Sequence, residues 1–250
     1  MSCFVIAECG VNWRDLVDAD QMIKAASEAG ADAVKFQAYE EISEYQPAFE
    51  TKIMHSGGSS TLEIIPAKGH IRSDELNAIR LDESTIRYLY WRCRQHDIEL
   101  MVTPMYPEAV AMLDPYVKRW KVRYADRENE DLIRLCTTGA KEILISTDIP
   151  LDWHKYVFSN IICKAKYLYC CSEYPPAHQT TRGMVAGFDG YSCHIPEIHH
   201  ILDITDVSGI DYLEVHVRLD HYEPPHYCPI DTAVSITMSE LAELCRRLKQ

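Results

Sequence analysis

Glycine and proline are scarce in this 250-residue chain, at 10 and 12 positions. With so few breakers, no low-complexity tract or linker separates two halves, and residues 1–250 read as one domain around one core. Cationic residues are also in deficit: 25 Lys and Arg stand against 38 Asp and Glu, a formal charge of −13. That balance argues against a nucleic-acid or anionic-membrane partner, which would be repelled unless a basic patch were focused on the surface. The opening MSCFVIAECG lacks a basic segment ahead of a long apolar run, and no later stretch is long enough to span a bilayer, so a cytoplasmic protein is expected. Ten cysteines are present, yet no two are spaced C-x-x-C; most lie in apolar runs and read as reduced, buried thiols.

What the chain does have is a beat. Apolar, β-branched or aromatic runs begin at FVIAE (4), AVKFQ (33), ELMVTP (99), RWKVRY (119), EILIST (142), KYLYCC (166), the FDGYSCH region near 189, and YLEVHVRL (212). From residue 99 onward they recur at the spacing of one strand plus one crossover helix, which implies a parallel sheet. Leu16, Ala19, Ile23 and Ala26 form an apolar helical face ending at Gly30, and Ile86, Leu89, Tyr90 and Cys93 form another after Asp82. Leu241, Leu244 and Leu248 follow Thr237, with Glu240 placed to complete a capping box. A short or irregular helix is expected between 149 and 164. Residues 40–81 break the beat and predict a long loop with one short helix, emerging on the catalytic face of a barrel.

Nearly every predicted strand carries polar side chains where a barrel would need filling: Glu8, Lys35, Gln37, Thr103, Lys121, Ser146, Ser172, Tyr174, His194, Glu214 and His216. An isolated buried charge is very costly, so these groups must meet one another, water or a ligand. Alternation puts Lys35 with Gln37, Ser172 with Tyr174, and Glu214 with His216 on common faces. Side chains at the C-terminal ends of barrel strands line active sites. Two lysines with hydroxyls suit a phosphate and carboxylate, and two histidines suit a metal. Each residue also has a plainer reading: a lone histidine as a hydrogen-bonded core group, Thr103 and Ser146 as helix caps, Lys35 or Lys121 as a structural ion pair or a Schiff-base former, Cys170 and Cys171 as core thiols. His199 and His200 fall on a predicted helix facing solvent.

The strings VIAECGVN and AGADAVKFQ, continued through VTPM, WKV, ILIST, CCSEYPP, GYSCH and LEVHVRLD to Asp231 and Ser235, closely resemble the sialic acid synthase family over essentially the whole chain. The resemblance implies an α/β fold, a (β/α)8 TIM barrel with a long insertion after its second strand. It implies a transferase of carbohydrate biosynthesis that condenses phosphoenolpyruvate with an N-acetylmannosamine-like sugar aldehyde, with Mn2+ or Mg2+ as cofactor, and releases phosphate. Phosphoenolpyruvate would be held by Lys35, Gln37, Thr103, Lys121, Ser146 and Ser172, and the metal by His194 and His216. Tyr174 and Asp231 would face the sugar. Glu8, Lys35, Lys121, Asp126 and Glu214 would form the catalytic set. A homodimer is expected on the same ground.

The chain departs from the family pattern at several points. Trp13 stands where a histidine is usual, Tyr124 replaces a phosphate-binding serine, Asp126 replaces a glutamate, and Cys193 replaces an aspartate before His194. With the sequence ending at Gln250, the family's C-terminal antifreeze-like domain is expected to be missing. Three explanations stay open: a separate antifreeze-like partner protein, a different sugar, or lost activity. Two other functions are weighed with the synthase, a catalytically silent barrel that binds a phosphorylated ligand or partner protein, and a Schiff-base aldolase using Lys35 or Lys121.

Overall fold

The computed structural model describes residues 3–40, 49–56, 59–66, 73–139, 141–149, 165–173, 176, 180–222 and 229–249, with backbone alone for 49–66. The expected irregular helix between 149 and 164 falls almost wholly outside these residues.

All eight predicted barrel strands form. They are β1 (Phe4–Gly10), β2 (Ala33–Ala38), β5 (Glu99–Pro104), β6 (Arg119–Val122), β7 (Glu142–Thr147), β8 (Ala165–Tyr169), β9 (Gly190–Cys193) and β10 (Tyr212–Arg218). They pair in parallel in the order β5-β2-β1-β10-β9-β8-β7-β6, and the sheet curls until β5 packs beside β6. The result is a nearly closed (β/α)8 barrel. A short β11 (Ser235–Thr237) adds to β10. The 40–81 insertion differs from the expected loop. It holds an antiparallel hairpin, β3 (Phe49–Ser56) with β4 (Ser59–Pro66), followed by α2 (Ser73–Ala78). Ser56 pairs with Ser59, so only two residues join the strands, and the chain supplies Gly57-Gly58 there, a favoured two-residue connection.

Helices form where apolar period and caps agree. In α1 (Leu16–Ala29) the Asp15 carboxylate accepts from the backbone N–H groups of Val17 and Asp18, and the helix stops at Gly30 with φ 88°, a left-handed end that glycine takes without strain. Asp82 caps α3 (Glu83–Gln95), which buries Ile86, Leu89 and Cys93. α4 (Pro107–Leu113) and α5 (Glu130–Thr137) follow β5 and β6. Beyond the short α6 (Arg182–Val185) come α7 (Ile198–Ser208) and α8 (Met238–Leu248). The last has the predicted capping box, with Thr237 and Glu240 each satisfying the other's backbone N–H. His199 and His200 do sit on α7; His199 is exposed and His200 half-buried.

Most apolar side chains fill the shell between sheet and helices. The barrel interior has its own strata. At the N-terminal end, Arg119 binds Glu99 (2.8 Å) and Glu142 (3.0 Å), lies 4.4 Å over the Phe4 ring, and shares Glu142 with the Tyr212 hydroxyl (2.9 Å). Above this ionic ring is a small apolar layer of Ile6, Ala33, Met101, Leu144 and Leu168. Gly190 is needed where β9 squeezes past its neighbours, because a Cβ there would lie 2.5 Å from the Tyr212 carbonyl oxygen. Two residues further along each strand the layer turns polar, and this third stratum positions the site.

Candidate active site

Strand alternation makes the change of stratum abrupt: Ile6 is followed by Glu8, Ala33 by Lys35, Met101 by Thr103, Leu144 by Ser146, Leu168 by Cys170, and Tyr212 by Glu214. All six lie on the C-terminal side of the apolar layer, toward the end at which barrels place chemistry, with Cys170 just beyond β8.

Glu214 is the hub. Its Oε2 lies 3.6 Å from Lys35 Nζ and its Oε1 3.6 Å from Lys121 Nζ, while the Ser192 hydroxyl donates to Oε1 at 2.9 Å. Lys35 also reaches Glu8 Oε2 (2.9 Å) and donates to Thr103 Oγ1 (3.0 Å); Lys121 donates to Ser146 Oγ (2.7 Å) and to the Val122 carbonyl (3.2 Å). Gln37 Nε2 donates to the other Glu8 oxygen at 2.7 Å. Lys35 and Lys121 therefore flank a single carboxylate despite being far apart in sequence. Thr103 and Ser146 serve these lysines, and α4 is capped at Tyr106, not by Thr103.

Glu8, Lys35, Lys121 and Glu214 are all buried. Two carboxylates against two ammonium groups leave the set neutral overall, which is how burial is tolerated. Burial alone would raise the Glu214 carboxyl, but Lys121, Lys35, His216 and the Ser192 hydroxyl outweigh it and hold it at about 2. Glu8 goes the other way: burial raises it, Lys35 opposes, and the charge of Glu214 adds to the rise. Burial would depress Lys35, but Glu214 and Glu8 together raise it; in Lys121 burial wins over Glu214 and the amine is pushed down.

Beside this cluster the rings of His194 and His216 lie 5.0 Å apart between centroids, tilted by 48°. Burial pushes His194 down to about 4 and His216 well below its ordinary range, so both imidazoles are neutral at pH 7 and carry a lone pair. His216 Nδ1 lies 3.6 Å from Asp231 Oδ2. Asp231 is held by Asn12, a fully buried side chain in the GVN string. Asn12 Oδ1 accepts from the Asp231 backbone N–H (3.1 Å), and its amide donates to Val217 O (2.9 Å) and Ser235 Oγ (2.8 Å). Gly10, at φ +46°, keeps the space above Glu8 open, since a Cβ there would lie 3.1 Å from Glu8 Oε1 and 3.2 Å from Gln37 Nε2. The donor chemistry suits a divalent ion held by two neutral imidazoles. Among the described residues no group of three or more His, Cys, Asp or Glu is placed to hold a metal ion, so an ion here would rest on the two imidazoles together with water or substrate oxygens.

Not every sequence-derived site residue joins the cluster. Asp126 lies on a 3-10 turn after β6, where Arg123 pairs with its carboxylate. Ser172 is exposed and lies in hydrogen-bonding reach of the Tyr124 hydroxyl, which donates to Asp148 Oδ1 at 2.9 Å. Tyr174 falls outside the described residues. Conversely, Asn12, Ser192 and Cys170 belong to the site and were not singled out from sequence; for the last two the signal was inward-facing strand parity with Glu214 and Leu168. A cavity of about 380 Å³ lies at the opposite barrel end beside Phe4, Glu99 and Lys118, away from Lys35 and Lys121.

Residues 22–250 match the NeuB family. The chain belongs to that family. N,N'-diacetyllegionaminic acid synthase of Legionella pneumophila is 28% identical over 245 residues, covering 90% of this chain and 66% of its own length. N-acetylneuraminate-9-phosphate synthase of Homo sapiens is 27% identical over 267 residues, covering 99% of this chain and 69% of its own length. The chain thus spans about two thirds of the length of these NeuB relatives. Among solved structures, the N-acetylneuraminic acid (sialic acid) synthetase of Leptospira borgpetersenii serovar Hardjo-bovis has the same fold, with a TM-score of 0.79 at 21% identity over 100% of this chain and 83% of that one. The barrel is accordingly of the sialic acid synthase type, as its motifs imply. Among the described residues no helix is long and apolar enough to cross a membrane.

Proposed function

We propose that this NeuB barrel condenses phosphoenolpyruvate with an open-chain, N-acetylmannosamine-like amino-sugar aldehyde, forming a 2-keto sugar acid and releasing phosphate. The observation that carries the reading is the convergence of Lys35 and Lys121 on one buried carboxylate, next to two neutral imidazoles. In the reaction C3 of phosphoenolpyruvate bonds to the aldehyde carbon, the aldehyde oxygen takes a proton, water adds at C2, and the C2–O bond to phosphate breaks.

Lys35 and Lys121 would bind the phosphate and carboxylate, assisted by Thr103 and Ser146, which already hold the two amines in place. Entry of the anion trades the contacts of Glu214 and Glu8 for those of the ligand. Glu8, pushed upward by burial, is suited to hold a proton near the reacting oxygen. His194 and His216 would hold Mn2+ or Mg2+. When bound, that ion supplies Lewis-acid stabilisation of charge developing on the aldehyde oxygen. A homodimer belongs to the same proposal.

The test supplies Mn2+, phosphoenolpyruvate and a panel of amino-sugar aldehydes and follows phosphate and 2-keto acid together. Stoichiometric formation of both supports the reading; no turnover with any aldehyde, alone or with a candidate partner, refutes it. One observation favours a second reading. The depressed Lys121 amine is the kind of group a Schiff-base aldolase needs. Borohydride trapping of a pyruvate adduct on Lys121 would establish that route, because the synthase reaction forms none.

A further inference from the structure

Cys170 follows β8 on the inward-facing parity of Leu168 and is buried at the edge of the polar stratum, where Lys121, Glu214 and Ser192 are its electrostatic neighbours. Its backbone N–H donates to the Thr147 carbonyl at 3.1 Å, which anchors it to β7. From that position its sulfur lies 3.9 Å from Nδ1 of His194, at the outer reach of a sulfur hydrogen bond. The second histidine repeats the arrangement with a different neighbour, since Nδ1 of His216 faces Asp231 Oδ2 at 3.6 Å. Both rings thus turn the same nitrogen toward a fixed partner. An imidazole that binds a metal through one nitrogen carries its proton on the other, and that N–H needs an acceptor to set the tautomer and the plane of the ring.

We infer that Cys170 is the positioning residue of His194: its sulfur accepts the Nδ1–H, fixes the ring, and leaves Nε2 to face the ion. Asp231 faces His216 Nδ1 in the corresponding place, at 3.6 Å, longer than a hydrogen bond. The inference rests on the metal-binding reading above and extends it to a residue outside the ligand set. Sulfur is a weak acceptor, so its restraint on His194 is softer than that of a carboxylate.

Co2+ is the probe. It is titrated into metal-free wild type, Cys170→Ala, Cys170→Ser and His194→Ala, with affinity read from ligand-field absorption and thermal unfolding recorded in chelator. The expected result is about a tenfold loss of Co2+ affinity in Cys170→Ala, the lower end for loss of such a partner, with recovery in Cys170→Ser, whose hydroxyl also accepts an N–H. No near-ultraviolet sulfur-to-cobalt charge-transfer band is expected in wild type. Unchanged affinity in Cys170→Ala overturns the inference, as does a lowered unfolding temperature without a change in affinity, which marks a purely structural thiol. A charge-transfer band lost in Cys170→Ala also overturns it, because the sulfur is then a direct ligand. If His194→Ala binds Co2+ like wild type, or wild type binds none, the metal reading itself fails and the inference falls with it; the cysteine variants alone do not produce that pattern.

Discussion

Replacing Glu214 with Gln removes one negative charge from between two ammonium groups, each 3.6 Å away, and keeps the side-chain shape. The carboxyl is held at about 2 against an ordinary 4.5, and it is fully buried. A downward shift of that size is worth about 3 kcal/mol of folding stability at neutral pH. Breaking a buried ion pair from one side costs a similar amount, about 3 to 5 kcal/mol. In urea, with a slope of about 3 kcal/mol/M for a large domain, Glu214→Gln should unfold about 1 M earlier than wild type at pH 7. The direction with pH follows from the lowered value. The stabilisation is fully present above pH 4.5 and is lost as pH falls toward 2, so the gap between the two proteins should close across that window. A second signature lies at the alkaline end: without Glu214, Lys121 is pushed further down, and the deficit should narrow as pH rises toward the unfolded lysine value near 10. A Glu214→Gln protein within about 0.5 kcal/mol of wild type at pH 7, the range of an ordinary surface change, would refute the shared-carboxylate account. A deficit independent of pH between 5 and 3 would do the same.

Lys121→Met should lower kcat/KM for phosphoenolpyruvate by about 100-fold, the cost of losing a buried cationic contact, while leaving far-ultraviolet circular dichroism unchanged; steady-state kinetics checks it. Gly190→Ala should destabilise by about 3 kcal/mol, because the new methyl meets the Tyr212 backbone oxygen at 2.5 Å and Leu168 Cγ at 3.0 Å; urea unfolding reads this. Asn12→Ala deletes three buried hydrogen bonds and should cost about 3 kcal/mol by the same measurement.

The strands and the terminal helix were legible because local and tertiary demands agree in them. AVKFQ, EILIST and YLEVHVRL pair β propensity with a length suited to a barrel, and Thr237 with Glu240 states a helix start in four residues. The hairpin was missed for the opposite reason: FETKIMHS and SSTLEIIP mix polarity on both faces, so period-two alternation is blurred, and only the Gly-Gly pair between them announced the turn. Within the site, alternation brought Lys35, Lys121, Glu8 and Glu214 to one stratum, as a barrel requires of inward-facing residues. It could not show that Arg123 would pair with Asp126 or that Ser172 would meet Tyr124, because such contacts depend on how loops leave the strand ends. Asn12 was passed over and Cys170 read only as a core thiol because an amide and a thiol look ordinary in sequence; their meaning lies in the groups they face.

The layer of Ile6, Ala33, Met101, Leu144 and Leu168 works as a stopper between two ionic rings. Its apolar side chains stand between the lysine cluster and the Arg119 ion pairs at the N-terminal mouth, so the charged groups of the two strata are separated by a layer that offers them no hydrogen-bonding partner.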